Sequence, residues 1–446
     1  MQKVLIIGAG RSATSLIKYL LEGAKTRSWF ITVADFNLNA AQSKIQKTSK
    51  STALELDINN DADRQKAIGD HDIIISMLPA RMHGIVAKDC LAFGKHMITA
   101  SYVSEEIKAL HNDFSEKGIL FMGEMGLDPG IDHMSAMEKI NEIKAAGGTI
   151  NSFRSYTGGI IAPESDDNPW HYKFTWNPRN VVLAGQSTAK YLVDGKYTYA
   201  PYRRLFETAE LVDIKGIGDF EMYANRDSLG YQTIYGLQDS PNILRGTLRH
   251  PGFCKAWNVL VALGLTDDTY KINNSESLSY HDWVEAYVRH VQGKTAAEKV
   301  ANLVGLEVNG TVMEQIKWLD LFSDQKIGLV AASPAQILQK LLMQKWTLKP
   351  TDKDWIIMQH EFEYVLNGEE KKLFSTMHMK GENATDTAMA KLVGLPLGIF
   401  TRLILEGKVS LTGVQIPVIK SVYSQVLKEL EAFDVKFNET ILTTVS

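Results

Sequence analysis

A glycine-rich motif follows the first apolar run of the chain. Gly8-Ala9-Gly10-Arg11-Ser12-Ala13 matches the pattern G-x-G-x-x-A, with Val4–Ile7 before it and a helical pattern after it. In that context the first glycine permits a tight turn, the second lets a pyrophosphate approach the backbone, and the alanine allows close packing of helix on sheet. Free N–H groups at the positive end of the helix would bind the phosphates. The motif therefore predicts a dinucleotide site at Gly8, Gly10, Arg11, Ser12 and Ala13, with a ligand-free glycine turn as the alternative.

An acidic residue ends the second apolar run. Asp35 lies 25 residues after Gly10, where a carboxylate can accept hydrogen bonds from both hydroxyls of an adenine ribose. A 2′-phosphate at that place would meet a like charge, so Asp35 favours NAD over NADP. Asp57 follows the third apolar run, where it either caps the next segment or approaches the adenine.

Two later apolar runs end in residues that suit the reacting end of a nicotinamide cofactor. Met77-Leu78-Pro79 ends the fourth run and Ala100-Ser101-Tyr102 ends the fifth. Ligands of parallel sheets bind at the carboxyl ends of the strands. We therefore expect Leu78, Ala100 and Ser101 to contact the cofactor, with Ser101 and Tyr102 beside the reacting ring.

The first 130 residues alternate short apolar runs with amphipathic stretches, which is typical of a βαβ series. The predicted strands are Val4-Ile7, Phe30-Ala34, Ala53-Leu56, Asp72-Met77, Met97-Ala100 and Ile119-Met122. The predicted helices cover residues 12–22, 38–47, 61–68, 84–93 and 104–117. This rhythm predicts an α/β fold whose N-terminal domain, residues 1–130, is a Rossmann doubly wound parallel sheet.

The pattern changes after a predicted helix over residues 131–146. Segments such as Phe153-Arg154-Ser155-Tyr156 alternate like strands of a mixed sheet, and Asn367-Gly368 is a hairpin signature. We expect a second α/β domain, for substrate and dimer contacts, over residues 131–275 and 346–384. Residues 276–345 have helical periodicity and are expected to form a helical subdomain. Helices over about 385–446 are expected to pack back on the nucleotide domain.

Composition excludes several classes of protein. A net charge of −4 and a pI near 6.3 give no electrostatic reason to bind nucleic acid or an anionic membrane. Only Cys90 and Cys254 are present, which predicts a reducing, cytoplasmic location. We read no signal peptide and no apolar run of about 18 residues that could span a membrane. No metal, hydrolase or kinase motif is present, and the expected ligand is a small molecule.

Longer strings go beyond the nucleotide motif: Glu124-Met125-Gly126-Leu127-Asp128-Pro129-Gly130-Ile131-Asp132-His133, Ser155-Tyr156-Thr157-Gly158-Gly159, Asn225-Arg226-Asp227-Ser228 and Arg245-Gly246-Thr247-Leu248-Arg249. They resemble segments of the saccharopine reductases, the saccharopine dehydrogenases that form L-glutamate. The resemblance spans nearly the whole chain. It implies oxidoreduction between saccharopine with an oxidised nicotinamide and L-glutamate with 2-aminoadipate 6-semialdehyde.

The resemblance also implies roles for individual residues. Arg226, Thr247, Leu248 and Arg249 match positions that contact substrate, and guanidinium groups suit a substrate with three carboxylates. The alternative for each arginine is an ion pair with an acid such as Asp227. The resemblance places Tyr102 and Asp128 near the reacting carbon as candidate catalytic residues, and Lys173 is the remaining candidate proton donor, with a surface lysine as the alternative. Ser101, Asp128, Pro129, Gly130 and Asn177 are expected to contact the cofactor, and Ser101, Tyr102 and Asp128 the substrate.

Several points stay open from the sequence. Asp128 could instead cap a helix that begins at Pro129. Asp35-Phe36 stands where many fungal members have Cys-Arg, a pair consistent with NADP, and Thr157 replaces a family cysteine. The competing functions are a carboxynorspermidine dehydrogenase, whose substrate carries fewer carboxylates, and a nucleotide-sensing protein without catalysis. A homodimer through the second domain's sheet is also possible.

Overall fold

The computed structural model describes residues 1–45 and 48–443. Its N-terminal third alternates strands and helices, as the apolar runs predict. These elements are β1 (Gln2–Ile7), α1 (Thr14–Thr26), β2 (Trp29–Asp35), α2 (Leu38–Lys44), β3 (Ser51–Glu55), α3 (Asp61–Gly69), β4 (Ile73–Ser76), α4 (His83–Phe93), β5 (His96–Thr99), α5 (Glu105–Lys108), α6 (His111–Glu116), β6 (Leu120–Met122) and α7 (Ile131–Ala145). The helix predicted over residues 104–117 is thus two short helices, and residues 46–47 of the helix predicted over 38–47 lie outside the described residues.

The rest of the chain mixes longer strands with short helices. Its elements are β7 (Thr149–Ile161), α8 (Pro178–Val182), β8 (Ala189–Val193), β9 (Lys196–Ala200), α9 (Tyr202–Leu205), β10 (Glu210–Ile214), β11 (Gly218–Ala224), α10 (Gly230–Ile234), β12 (Asn242–Arg249), α11 (Phe253–Ala262), α12 (Tyr280–Val288), α13 (Ala296–Val304), α14 (Thr311–Trp318), α15 (Pro334–Trp346), β13 (Asp354–Leu366), β14 (Glu369–Lys380), α16 (Ala388–Leu405), β15 (Gly413–Gln415), α17 (Lys420–Leu430) and β16 (Asn438–Thr443). The C-terminal segment predicted as helical, residues 385–446, contains the strands β15 and β16 beside its helices, so that expectation was wrong in part, and residues 444–446 lie outside the described residues.

The first compact unit comprises Met1–Ile150, Val365–Glu369 and Thr376–Glu439. Its seven-stranded sheet has the order β15-β6-β5-β4-β1-β2-β3, and β1 pairs in parallel with both β2 and β4. The strand order reverses between β1 and β4, which is the switch point where doubly wound sheets bind ligands. The predicted Rossmann fold is therefore confirmed.

Apolar helices cover the strands of this sheet. Leu5 and Ile7 of β1 lie in one hydrophobic cluster with Val86 of α4 and Phe114 of α6. On the chain's return, α16 contacts α1, and α17 contacts α7. Helix α7 therefore belongs to this unit, whose first segment continues to Ile150 instead of ending at the expected residue 130. Residues 131–137 are all buried.

Helix α16 corrects one expectation about membranes. Its 18 residues form a helix that is long and apolar enough to cross a bilayer, whereas the apolar runs of the sequence predict no such segment. Of this helix, 72% is buried inside the fold. The burial explains the apolar composition as that of a core helix.

The second unit comprises Asn151–Tyr364, Glu370–Ser375 and Thr440–Ser446, of which residues 440–443 are described at the C-terminal end. Its nine-stranded sheet follows the order β10-β11-β12-β7-β13-β14-β16, with β8 and β9 paired beside β12. The sheet is mixed, because β12 is parallel to β7 and antiparallel to β11. The turn at Asn367-Gly368 has φ values of 55° and 81°, as a tight hairpin turn requires.

The helices of residues 276–345 do not form a separate subdomain. Trp283 of α12, Ile316 of α14 and Leu338 of α15 share one hydrophobic cluster with Trp170 and Trp257. Since one contiguous core includes both regions, the expected helical subdomain is part of the second unit.

Candidate active site

The glycine motif forms the turn between β1 and α1. Gly8 has a φ of 106°, and a Cβ atom there would lie 3.0 Å from the carbonyl oxygen of Met77. Gly10 is exposed and precedes a single 3₁₀ turn, Arg11–Ala13, that leads directly into α1. Ala13 is 1% exposed, so the helix packs closely on the sheet. Arg11 is exposed and Ser12 half-buried, and the loop has the open backbone that a pyrophosphate needs.

Asp35 at the end of β2 faces this loop. Its Oδ2 accepts a hydrogen bond from the backbone N–H of Ala9 at 2.8 Å, and its Oδ1 accepts one from Asn37 at 2.9 Å. The carboxylate is thereby fixed beside the turn. Asp57 is exposed, and its carboxylate accepts the backbone N–H of Asn59 at 2.9 Å. Asp57 therefore caps the turn after β3.

The carboxyl ends of β4 and β5 carry Leu78, Ala100, Ser101 and Tyr102, all half-buried. Backbone bonds hold this loop in place. The N–H of Ser101 donates to Thr99 Oγ1 at 3.3 Å, and the carbonyl of Ser101 accepts the N–H of Glu124 at 3.0 Å. The predicted cofactor and substrate residues of this loop thus lie along the edge where ligands of such sheets bind.

Tyr102 and Asp128 lie in contact. The Tyr102 hydroxyl donates a hydrogen bond to Asp128 Oδ1 at 3.1 Å, so the two predicted catalytic residues form one polar pair. Asp128 does not cap a helix, because α7 begins at Ile131 and its N-cap residue is Gly130. The alternative role considered for Asp128 is therefore wrong.

The loop of Asp128 closes on itself. The N–H of Gly126 donates to the Pro129 carbonyl at 3.0 Å, and the Asp128-Pro129 peptide bond is cis. Gly130 has a φ of 149°, and a Cβ atom there would lie 2.0 Å from the carbonyl oxygen of Gly126. Pro129 and Gly130 are buried, so they shape the loop beneath Asp128.

A buried polar network that the sequence did not reveal supports both loops. Glu124 Oε2 lies 2.8 Å from His133 Nε2, and Glu124 Oε1 accepts the N–H of Val103 at 3.1 Å. Asp132 Oδ1 accepts the N–H of Gly130 at 2.6 Å. The Glu124 carboxylate therefore links Val103, which follows Tyr102, to His133 in helix α7, which follows the Asp128 loop. The E-x-G-L-D-P-G-I-D-H string at residues 124–133 contains the side chains of Glu124, Asp132 and His133, and this string was the available signal.

In the second unit, β12 ends in Arg249, which is 4% exposed. Its Cζ lies 5.2, 5.7 and 5.4 Å from the ring centroids of Tyr172, Tyr223 and Phe253. Nη1 donates to the Leu248 carbonyl at 2.8 Å, whereas the buried Nε has no hydrogen-bond partner, and within the described residues Arg249 makes no ion pair. A buried cation without a carboxylate favours an anionic ligand over the ion-pair alternative.

The neighbours of Arg249 divide into two kinds. Thr247 is half-buried on β12, opposite Tyr223 and Thr157. The Leu248 side chain lies in a hydrophobic cluster, which leaves only its backbone for a ligand. Arg226 has a φ of 48° and is exposed after β11, while its neighbour Asp227 lies 3.6 Å from Lys190. The roles of Arg226 and Thr247 stay predictions.

Two predicted residues of this unit have structural partners. Lys173 Nζ lies 2.7 Å from Asp352 Oδ2 and 2.8 Å from Asp167 Oδ1, and the lysine is 2% exposed. These two ion pairs give Lys173 a structural role, and its role as a proton donor stays a prediction. Asn177 is the N-cap of α8, where its side chain accepts the N–H of Arg179. Contact of Asn177 with a cofactor stays a prediction.

Comparison with known proteins identifies the family. Residues 4–122 match the model "Saccharopine dehydrogenase NADP binding domain", and residues 126–435 match "Saccharopine dehydrogenase C-terminal domain". Saccharopine dehydrogenase [NADP(+), L-glutamate-forming] of Schizosaccharomyces pombe is 33% identical over 451 residues, covering 99% of each chain. The mitochondrial alpha-aminoadipic semialdehyde synthase of Rattus norvegicus is 33% identical over 446 residues, covering 98% of this chain and 47% of the synthase.

A solved structure agrees with these matches. Apo saccharopine dehydrogenase (L-Glu forming) of Saccharomyces cerevisiae superposes with a TM-score of 0.87 at 30% identity, covering 99% of this chain and all of the yeast chain. The similarity includes both units and the segments that carry the glycine motif, the Asp128 loop and Arg249. The expected resemblance is confirmed, and the chain belongs to the saccharopine dehydrogenase family.

Proposed function

We propose that the chain interconverts saccharopine plus water and L-glutamate plus 2-aminoadipate 6-semialdehyde. Hydride passes between a nicotinamide and the carbon of the C–N bond, and water adds to the resulting imine to release the amine and the aldehyde, or leaves in the reverse direction. Arg249 is the observation that carries this proposal. Its guanidinium is buried among three aromatic rings with no carboxylate partner in the described part of the chain. A substrate with three carboxylates would supply the missing anion.

The remaining chemistry falls to the pair Tyr102 and Asp128. A bound nicotinamide would accept or return the hydride at the substrate carbon. The Asp128 carboxylate, held by the Tyr102 hydroxyl, would accept a hydrogen bond from the substrate amine and orient its lone pair. Water or the substrate amine can carry the proton in imine chemistry, so the pair positions the amine and need not titrate.

We propose NAD as the preferred cofactor, although the matched family model and the fungal relatives carry NADP in their descriptions. The support is Asp35, whose oxygens accept two backbone N–H groups and keep the carboxylate beside the glycine loop. Its remaining lone pairs suit ribose hydroxyls, whereas a 2′-phosphate would meet a like charge. Residues 36–40 after β2 contain no cation that could offset that repulsion.

The function is tested by following the absorbance of reduced nicotinamide with saccharopine and, in parallel, with carboxynorspermidine. We expect turnover of saccharopine alone. Turnover of carboxynorspermidine alone would favour the diamine-derived alternative. Tight nucleotide binding with turnover of neither substrate would favour the nucleotide sensor.

The cofactor preference is tested by replacing Asp35 and Phe36 together with the Cys-Arg pair of fungal members. We expect the ratio of kcat/KM for NAD over NADP to fall by about 100-fold or more, because a repulsive charge is replaced by a phosphate-binding one. A wild-type enzyme that strictly requires NADP would refute the role given to Asp35. The single variant Phe36→Ala is the matched control, since it leaves the carboxylate in place.

We further propose a reducing compartment such as the cytoplasm. Cys90 and Cys254 are both buried and unpaired, and burial raises the pKa of each thiol. Neither is suited to redox chemistry. Fractionation of cells that express the full chain tests the location.

A further inference from the structure

His83 lies at the carboxyl edge of the first unit's sheet and has no role in the chemistry above. It begins α4 and is 2% exposed. Its Nδ1 lies 2.9 Å from Ser76 Oγ at the end of β4, and its Nε2 lies 2.7 Å from Ser101 Oγ beyond the end of β5. Thr99 Oγ1 is a weaker third neighbour, 3.4 Å from Nε2. The imidazole thus bridges two adjacent strand ends.

The ring is neutral across the physiological range. Burial lowers the pKa of His83 to about 4. A neutral imidazole has one donor nitrogen and one acceptor nitrogen, so the bond to Ser76 sets the kind of bond that Ser101 receives. In either tautomer, one hydrogen-bonding position of the Ser101 hydroxyl is occupied by Nε2.

The backbone of Ser101 is already fixed on both sides. Its N–H donates to Thr99 Oγ1, and its carbonyl accepts the N–H of Glu124. Rotation about χ1 is therefore the freedom that remains to this side chain. The bond from His83 removes that freedom and fixes the direction in which the hydroxyl presents its remaining proton or lone pairs.

We propose that His83 is a positioning residue, which holds the Ser101 hydroxyl in one rotamer toward the nicotinamide and the substrate carbon. The inference rests on the proposed function. It assigns to this histidine a role in preorganising the site, since a group held in its reactive orientation contributes to rate without strengthening ground-state binding.

Two variants of His83 separate the two ends of the bridge. The amide of His83→Gln reaches the position of Nε2 and can keep the bond to Ser101, while the amide of His83→Asn matches Nδ1 and keeps only the bond to Ser76. We expect His83→Asn to lower kcat about 10-fold with less than 2-fold change in KM for saccharopine, and His83→Gln to retain most of kcat.

The decisive measurement is the double variant with Ser101→Ala. If His83 acts through Ser101, then His83→Asn adds no further loss of kcat on the Ser101→Ala background. Losses that multiply would overturn the proposal, as would equal losses in His83→Asn and His83→Gln.

A matched control is His71, another buried histidine, whose ring contacts the Ala67 carbonyl at 2.6 Å and Thr32 Oγ1 at 2.7 Å. It precedes β4 and so lies at the opposite end of that strand. His71→Asn should lower stability but not kcat. A loss of kcat equal to that of His83→Asn would make the effect one of stability and overturn the proposal.

Failure of the proposed function can be recognised separately. It would appear as a wild-type chain that binds nucleotide but does not oxidise saccharopine. The bridge is then tested by ¹⁵N NMR of the histidine rings, where Ser101→Ala should shift the Nε2 resonance of His83 and leave that of His71 unchanged. An unshifted His83 resonance would overturn the proposal.

Discussion

Replacing Arg249 with methionine separates a ligand-binding role from a packing role. Methionine fills a similar volume and also makes favourable contacts with aromatic rings. Each of the three cation–π contacts of Arg249, at 5.2, 5.7 and 5.4 Å, is worth about 0.5–2 kcal/mol when desolvated. Burial of an uncompensated charge costs several kcal/mol in the opposite direction. We therefore expect Arg249→Met to change the free energy of unfolding by no more than about 1 kcal/mol.

Substrate binding should respond much more strongly. A hydrogen bond to a charged group contributes about 1.5–3 kcal/mol, and its removal leaves a carboxylate of saccharopine without a partner. At about 1.4 kcal/mol per tenfold, KM for saccharopine should rise roughly 10- to 150-fold. KM for the nucleotide should change little, because Arg249 belongs to the second unit and the glycine motif to the first.

The assay is steady-state turnover followed by nicotinamide absorbance, paired with urea unfolding of the same preparations. Arg249→Lys is the control, since it keeps the charge and loses the planar fork, and it should give an intermediate KM. A variant whose KM for saccharopine is unchanged while its stability falls by more than about 2 kcal/mol would refute the reasoning. Arg249 would then be a packing residue of the aromatic core.

Three further outcomes follow from the described contacts. Tyr102→Phe removes the 3.1 Å hydrogen bond to Asp128, so kcat should fall about 10- to 100-fold with unchanged nucleotide binding, measured by turnover and by titration of cofactor fluorescence. The pKa of His83 is about 4 in the folded state, below its ordinary value of 6.5, so the unfolded state binds the proton more readily. The free energy of unfolding should therefore be highest above pH 6.5 and should fall by about 3 kcal/mol as the pH is lowered toward 4. In urea titrations, His83→Gln should show a smaller decline. Lys173→Met leaves the buried Asp352 carboxylate without its cation, so the free energy of unfolding should fall by about 3–5 kcal/mol, measured as a lower urea midpoint. An unchanged midpoint together with lost turnover would instead support the catalytic role of Lys173.

Local patterns in the sequence were enough for the strands of residues 1–130. Strand β15 lies in the segment predicted as helical and was missed. The apolar runs locate each strand from β1 to β6 within about two residues, because parallel strands buried on both faces leave an uninterrupted apolar signature. The positions of Gly8 and Asp35 follow from the same rule, since the motif fixes the turn and the strand length fixes the acidic residue. The spacing of residues along the chain was therefore enough to predict strand positions and cofactor-site residues wherever contacts were local or followed from the order of the strands.

Side chains with distant partners could not be assigned in this way. Lys173 pairs with Asp352, 179 residues later, and nothing near the lysine indicates that pairing. Asp128 looks like a helix cap in sequence, but the loop from Gly126 closes on itself and moves the helix start to Ile131. The aromatic rings around Arg249 come from three separate segments, so the surroundings of Arg249 are a property of the folded chain.

The sheet of the first unit draws on both ends of the chain, and this constrains how it can be synthesised. Strand β15 pairs with β6 through Gly413 and Leu120, and α16 packs on α1. On a ribosome, the N-terminal residues emerge well before the segments that cover one edge and one face of their sheet. Until residue 415 or so has left the exit tunnel, the edge of β6 and the apolar side of α1 remain open to other chains. The nucleotide-binding unit is therefore begun first but completed only after most of the second unit has been made, and a nascent chain stalled before α16 should depend on chaperones to avoid aggregation.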